Sequence, residues 1–226
     1  MIILAIDTSA NLCAASVHDA AAGELGRCVR DLGKGHAEHL MAVIAETLAG
    51  AGLTYADLDR LGVSVGPGSF TGIRVGVSAA RGLALALNIP AVGVTTLEAL
   101  ALEARRVSAG RCVLVALDGG RGEIHTALYG PGGDERAPPA AIDLKTAAEI
   151  AKRENAVLVG TAADKVNEAA GGSLDVAGRQ ATADIAAYAS LGLASADSGT
   201  RPTPLYLRSA DAKVNEGFAV ARKAVS

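Results

Sequence analysis

The sequence predicts an α/β chain that uses one structural unit twice, and three observations lead there. Residues 2–17, IILAIDTSANLCAASV, and residues 113–129, VLVALDGGRGEIHTALY, share one order: apolar strand, Asp, small-residue turn, returning strand. The two stretches start about 110 residues apart, the spacing of a duplicated domain. Short apolar runs alternate with helical periodicity along the rest of the chain. Between the two copies lies LGVSVGPGSFTGIRVGVSAARGLALAL, residues 61–87, which reads as strand, Gly/Pro/Ser/Thr turn and long apolar helix.

Taken in order, residues 2–6 are continuously apolar, as in a strand buried on both faces. Asp7-Thr8-Ser9 ends it, and residues 12–18 return as a partly alternating strand. Residues 20–26 read as a turn and 27–32 as a third strand. Residues 35–50 are helical, with Ala37, Leu40, Met41, Ile44, Leu48 and Ala51 on one stripe. Thr54 and Asp57 have the spacing of a helix-start cap. After residue 87, Asn88-Ile-Pro90 breaks the helix and 91–94 is a strand. Thr95-Thr96-Leu97-Glu98 is a capping box opening a helix to about residue 105. Residues 107–111 form a hinge, and 112–117 and 123–129 are the strands of the second copy. The composition of 130–141, GPGGDERAPPAA, predicts an exposed loop. Helices are expected over 144–154, 161–170 and 182–193, the last capped by Thr182, with short strands at 156–159 and 174–177. An extended tail follows, carrying Arg201, Arg208 and Lys213.

Composition narrows the function classes. The chain has 226 residues, 50% apolar but only 3% aromatic, without Trp. Its core must therefore be Ala, Val, Leu, Ile and Gly at close backbone spacing. A net charge of −3 with scattered charges argues against this chain alone being the main nucleic-acid binder, which needs a basic face. Cys13, Cys28 and Cys112 are far apart with no C-x-x-C, as expected of reduced thiols. The start MIILAIDTSA lacks a basic n-region, and no run is expected to reach the length of a membrane span. A soluble, cytoplasmic protein is the expectation.

The glycine turn at 66–72 invites a phosphate-cradle reading, because glycines and a helix N-terminus together suit an anion. It has no P-loop Lys, and Gly66, Gly68 and Gly72 do not keep the G-x-G-x-x-G spacing. The helix after it is more informative. At roughly 100° per residue, Ile73, Val77, Ala80, Ala84 and Leu87 form one stripe. Gly72, Val75, Gly76, Ala79, Leu83 and Ala86 form a second, of mostly small residues, and Arg74, Arg81 and Asn88 make a narrow polar edge. A helix apolar around most of its circumference is buried on more than one side. Either it lies inside one large domain, or it lies between its own sheet and a partner chain. The partner reading expects Gly76→Leu to weaken association more than folding.

The candidate chemistry is thin. Asp7 and Asp118 both end strands beside small residues. Facing hairpins of this kind grip nucleotide phosphates in actin-like and sugar-kinase folds, but an Asp also closes a turn simply by accepting backbone N–H bonds. The first turn has hydroxyls without Gly, and the second has Gly without hydroxyls, which describes a degenerate site. His36 and His39 are helix neighbours, yet a zinc site needs a third ligand and H-E-x-x-H is absent. Ser69 and Thr71 lack a G-x-S-x-G elbow or any cue to a base, and fit better as helix caps. No cofactor or metal is expected.

Ala5-Ile-Asp-Thr-Ser9, Gly35-His-Ala-Glu38, the run from Gly66 to Arg74 (GPGSFTGIR), Gly93-Val-Thr-Thr-Leu-Glu-Ala-Leu100 and Pro204-Leu-Tyr-Leu-Arg208 resemble, in order and spacing, the TsaB (YeaZ) family. The resemblance implies an actin-like (ASKHA, ribonuclease H-like) duplicated two-domain α/β fold with mixed sheets flanked by helices. The expected division is a first domain over 1–106, a smaller second domain over 107–205 and a tail over 206–226 that packs back on the first. It further implies a non-catalytic subunit of the machinery that makes threonylcarbamoyladenosine in tRNA. There TsaC makes threonylcarbamoyl-adenylate and TsaD, which holds the metal, transfers the group to the adenosine next to the anticodon, in tRNAs reading codons that start with A. TsaE joins as an ATPase. The expected partners are TsaD, TsaE through the TsaB–TsaD complex, a second copy of the chain when TsaD is absent, and tRNA only through the complex, with no membrane. The contact is expected on the helices over 35–50 and 72–87, at Leu40, Ile44, Gly72, Ile73, Gly76, Val77, Ala79 and Ala80. The family also carries a peptidase label, but the metal-binding H-x-x-x-H pair of TsaD has no counterpart here. An actin-like phosphotransferase using Asp7 and Asp118, and a metallopeptidase, are the alternatives.

Overall fold

The computed structural model describes residues 1–108, 110–196 and 199–207. Its first half is β1 (Ile2–Asp7), β2 (Leu12–Asp19), β3 (Gly23–Asp31), α1 (His36–Gly50), β4 (Arg60–Gly66), α2 (Phe70–Leu87), β5 (Ala91–Thr95) and α3 (Thr96–Val107). The second half is β6 (Val113–Gly120), β7 (Glu123–Tyr129), β8 (Glu135–Asp143), α4 (Leu144–Arg153), β9 (Val157–Val159), α5 (Ala163–Ala169), β10 (Val176–Gly178) and α6 (Ile185–Ala194). The two halves have the same element order. Their five-stranded sheets, β3-β2-β1-β4-β5 and β10-β9-β6-β7-β8, have corresponding strands in corresponding places. In each, the first three strands pair antiparallel and the last two join parallel. The duplication inferred from two short stretches is borne out over the whole topology.

The side-chain period of two in β1 explains the layering. Ile3 and Ala5 point into a core shared with Leu97 and Leu100 of α3, Val113 and Val115 of β6, and Tyr188 of α6. Leu4 and Ile6 point the other way, into a core with Leu40 and Ile44 of α1 and Ile73 and Val77 of α2. Residues alternating between two faces in this way are all buried, so the strand reads as continuously apolar. A third core lies under α4 and α5, around Leu114, Leu158 and Val166. The third helix of each unit packs across the middle, α6 against β1 and α3 against β6. Gly62 and Gly192 permit that approach: a Cβ on Gly192 would meet Ile3 Cδ1 at 2.6 Å. Arg60 Nη1 donates to the carbonyls of Gly192 in α6 (3.0 Å) and of Ser195 just after it (2.6 Å), a cation at the negative end of the helix.

Three local expectations are corrected. The exposed loop expected at 130–141 gives way to strand β8 from Glu135. Pro138 and Pro139 misled, because proline lacks an N–H to donate; β8 is an edge strand, where that donor is dispensable. The turn expected at 20–26 is shorter, because β3 already pairs from Gly23. Helix α6 is capped by Asp184, whose carboxylate accepts from Ala186 N at 2.8 Å; Thr182 has other partners. By length and composition alone α2 is apolar enough to cross a membrane, against the expectation that no run is. Its Ile73–Val77–Ala80 face covers β4, so its apolar character is that of a helix laid on a sheet.

Candidate functional site

The turn after β1 is the anchor of the molecule. Asp7, Thr8 and Ser9 are all buried. Asp7 Oδ1 accepts from Ser9 N at 2.9 Å, and Oδ2 accepts from Thr182 Oγ1 at 2.6 Å. Tyr188 Oη lies 2.7 Å from the same threonine oxygen, whose proton is given to Asp7, so Tyr188 is the donor there. Ser9 Oγ, Thr96 Oγ1 and Ser64 Oγ continue the chain at 3.4 Å steps. Burial, and then the nearby Asp7 carboxylate, push the Tyr188 phenol up from its ordinary pKa, so it stays a neutral donor. Thr182→Val leaves the buried Asp7 oxygen and the Tyr188 hydroxyl without this partner. It should cost about 1–2 kcal/mol in urea denaturation, whereas Thr182→Ser should retain most of the stability.

Helix α2 begins on that same turn. Ser69 caps it, its Oγ accepting from Gly72 N at 3.2 Å. Ser69 N donates to Ser9 O at 2.7 Å, and Thr8 Oγ1 donates to Gly72 O at 2.7 Å. A Cβ on Gly68 would run into the Ser9 carbonyl, one on Gly72 into the Thr8 carbonyl, and one on Gly76 would lie 2.5 Å from Thr8 Oγ1. Gly66 has φ 94 and its Cα faces Ile73, which a Cβ would meet at 2.6 Å. Gly68, Gly72 and Gly76 are therefore spaced by the close approach of the first turn to α2.

This geometry places the interface residues expected from sequence unequally. Leu40, Ile44, Gly72, Ile73, Gly76, Val77 and Ala80 are buried within the chain's own core. At the N-terminal half of α2 the branched stripe lies on the sheet, and Gly72 and Gly76 of the small stripe lie on Thr8. Ala79 is half-buried and does reach a surface, together with the edge of Leu40. A groove of about 480 Å³ between α1 and α2 is lined by these two with Ala37, Met41, Phe70, Thr71, Arg74, Val75 and Ser78. Phe70 is 55% exposed and Met41 47%. Arg74 lies 3.8 Å over the Phe70 ring and its Nε donates to Tyr206 Oη at 2.8 Å. Farther along α2, Leu85 is 76% exposed. Phe70, Arg74 and Leu85 are not among the interface residues expected from sequence. Phe70 had a signal: it is one of two Phe in the chain and stands at a helix start, outside both stripes.

The second turn is built differently. Asp118 is exposed; its Oδ1 accepts from Gly120 N at 2.8 Å and its Oδ2 pairs with Lys165 Nζ at 2.6 Å. Lys165, then the Gly120 N–H, hold its carboxyl below the usual range. Asp118 lines a cleft of about 510 Å³ with Ser9, Asn11, Gly68, Ser69 and Thr161. Asp7 does not line it. The two acids of the phosphotransferase alternative are thus not presented together, and each closes its own turn. His36 is buried with Nε2 3.2 Å from Leu12 O, while His39 is half-buried beside Gly35. Among the described residues no three His, Cys, Asp or Glu side chains group as metal ligands. In the tail, Arg201 is exposed and shares a cleft with Arg81; Arg208 and Lys213 lie outside the described residues.

The family model described as "TsaD: tRNA N6-adenosine threonylcarbamoyltransferase" matches residues 30–194. The chain is 34% identical over 131 residues to the tRNA threonylcarbamoyladenosine biosynthesis protein TsaB of Escherichia coli (strain K12), a match covering 57% of this chain and 55% of that one. The same identity and shares hold for TsaB of Bacillus subtilis (strain 168). The chain thus spans about half the length of the curated relatives it matches. Among solved structures, one described as an uncharacterized protein with similarity to peptidase YEAZ, from Pseudomonas aeruginosa, superposes with a TM-score of 0.73 at 24% identity, covering 92% of this chain and 99% of that one. YeaZ from Pseudomonas aeruginosa gives 0.72 at 24%, covering 86% and 93%. These two likenesses speak for the actin-like duplicated α/β fold. On the family match, the chain belongs to the family whose model is described as TsaD, tRNA N6-adenosine threonylcarbamoyltransferase, and relatives it resembles carry the names TsaB and YeaZ.

Proposed function

We propose that this chain is a non-catalytic subunit in tRNA threonylcarbamoyladenosine biosynthesis, binding a TsaD partner through the groove between α1 and α2. The name of its relatives supplies the process. The observation that carries the mode of action is the exposed cluster of Met41, Phe70 and Arg74 along that groove. Aromatic and arginine side chains flanking an apolar groove are the composition of interface anchors. The partner performs the transfer to the adenosine next to the anticodon in tRNAs reading codons that start with A, and TsaE joins through the pair. A second copy of the chain takes the groove when TsaD is absent. Transfer RNA is reached only through the complex, in the cytoplasm, and the two-domain division at 106/107 belongs to the same reading.

Reconstitution tests it. Purified TsaC, TsaD, TsaE, ATP, threonine, bicarbonate and tRNA should yield threonylcarbamoyladenosine only when this chain is added, and Asp7→Asn, if folded, should support the reaction. Full modification without the chain, or ATP turnover by the chain alone that Asp7→Asn abolishes, would overturn the reading.

A further inference from the structure

Past Ala79, the last groove residue on α2, the helix runs on into a second cleft. Its volume is about 360 Å³, enough for a small ligand. Its lining includes Arg81, Leu85, Asn88, Pro90 and Arg201, and no acidic side chain among the described residues. Several other arginines of this chain are paired with acids: Arg27 with Glu24 and Asp184, Arg30 with Glu46, Arg111 with Asp175, and Arg179 with Asp164. Arg81 and Arg201 are both exposed, and among the described residues neither guanidinium has an ion pair or a hydrogen-bond partner. The helix dipole does not account for Arg81. It stands about two turns before the Asn88 cap, and the dipole effect fades within the last turn.

Both arginines sit on fixed backbone. Arg81 lies in the body of α2. The residue after Arg201, Pro202, is buried beside β5, where a Cβ on Gly93 would meet its Cβ at 3.4 Å. Leu205 N donates to Val65 O at 2.8 Å and holds the same segment at the end of β4. The wall at Pro90 is tied by Leu61 N, which donates to Pro90 O at 2.9 Å. Two guanidinium groups from segments far apart in sequence thus reach one cleft with no acid to neutralise them. Such a site suits an anion, and the paired N–H donors of arginine match phosphate oxygens. Leu85 and Pro90 beside them offer apolar contact to a sugar or a base.

We propose that this cleft binds a phosphate group between Arg81 and Arg201, taken from the backbone of an RNA strand or from a free nucleotide. The RNA source rests on the tRNA reading above; the phosphate site does not. Two phosphate contacts hold an RNA only weakly, which agrees with tRNA being reached through the complex.

The test uses the full chain without any partner, as wild type, as Arg81→Gln/Arg201→Gln and as Arg106→Gln/Lys145→Gln. The last removes two exposed charges that do not line the cleft. All three should share one thermal midpoint, because the substitutions are at exposed positions. Binding of a fluorescein-labelled single-stranded RNA is followed by anisotropy over a KCl series that starts at low salt, and binding of ATP by calorimetry. In the cleft variant the slope of log Kobs against log salt should lose about 1.4 of its magnitude, about 0.7 for each phosphate contact. The control variant should keep the wild-type slope, and RNA is then the source. If the RNA slope is unchanged but ATP affinity falls about tenfold in the cleft variant alone, a free nucleotide is the source and the phosphate site stands. The proposal is overturned if neither probe binds the wild-type chain, or if both bind the cleft variant as they bind the wild type. Equal losses in the cleft and control variants would also overturn it, since they mark diffuse surface charge. No TsaD is present, so a failure of the partner reading leaves each of these results as it is.

Discussion

Gly76→Leu should unfold the chain before it affects any partner. The Cβ alone would sit 2.5 Å from Thr8 Oγ1 and 3.5 Å from a Val63 methyl, and the remaining leucine atoms have no space between α2 and the first turn. Thr8 cannot move away freely, since its hydroxyl is bonded to Gly72 O and its neighbour Ser9 to Ser69 N. Overpacking of this kind costs about 3 kcal/mol, so the urea midpoint should fall substantially. Partner affinity per folded molecule should change little, because Gly76 is buried. This reverses the order expected from sequence, in which a small-residue stripe was read as a place for another helix. A normal denaturation midpoint for Gly76→Leu together with lost binding would restore the earlier order.

The reversal shows what hydrophobic periodicity conveys. The pattern of α2 marks a helix that is buried on two sides over its N-terminal half. It does not say which element covers the second side. Small residues permit close approach by any backbone, and here the backbone is that of Thr8 and Ser9, some sixty positions earlier in the sequence. The same limit applies to Thr182. Beside a helix it reads as a cap, but its hydroxyl is drawn to Asp7, a partner that only the packing of the two units brings near. Strand β8 was hidden for a different reason. Prolines weigh against a strand unless its position at a sheet edge is known, and position is a property of the assembled sheet.

What could be read locally was read correctly. The continuous apolar runs at 2–6 and 113–117 became the central strands β1 and β6, buried on both faces. The Thr95/Glu98 capping box is formed, with Thr95 Oγ1 accepting from Glu98 N at 3.0 Å and Glu98 Oε2 accepting from Thr95 N at 2.9 Å. Asp7 and Asp118 each close their own turn through a backbone N–H. The equivalence of the two turns was visible in sequence, and so was their mismatch: one is rich in hydroxyls, the other in glycine. The structure turns that mismatch into different roles. The first turn is a buried junction between the two units and α2, and the second is a solvent-facing turn neutralised by Lys165.

The partner surface proposed above is the groove, and Phe70 is exposed along it. Replacing Phe70 removes little from the core, since more than half of the side chain faces solvent. Phe70→Asp should therefore shift stability by about 0.5 kcal/mol or less, within the range of surface substitutions. At an interface the same change removes an aromatic anchor, releases Arg74 from its ring and buries a carboxylate without a designed partner. A loss of about 2 kcal/mol, roughly 30-fold in Kd, is the expected scale. The most direct test of the account is a calorimetric titration of TsaD with the folded Phe70→Asp chain. The account predicts affinity weakened at least about 30-fold at unchanged thermal stability. Wild-type affinity in that variant would show that the α1/α2 groove is not where this protein meets its partner.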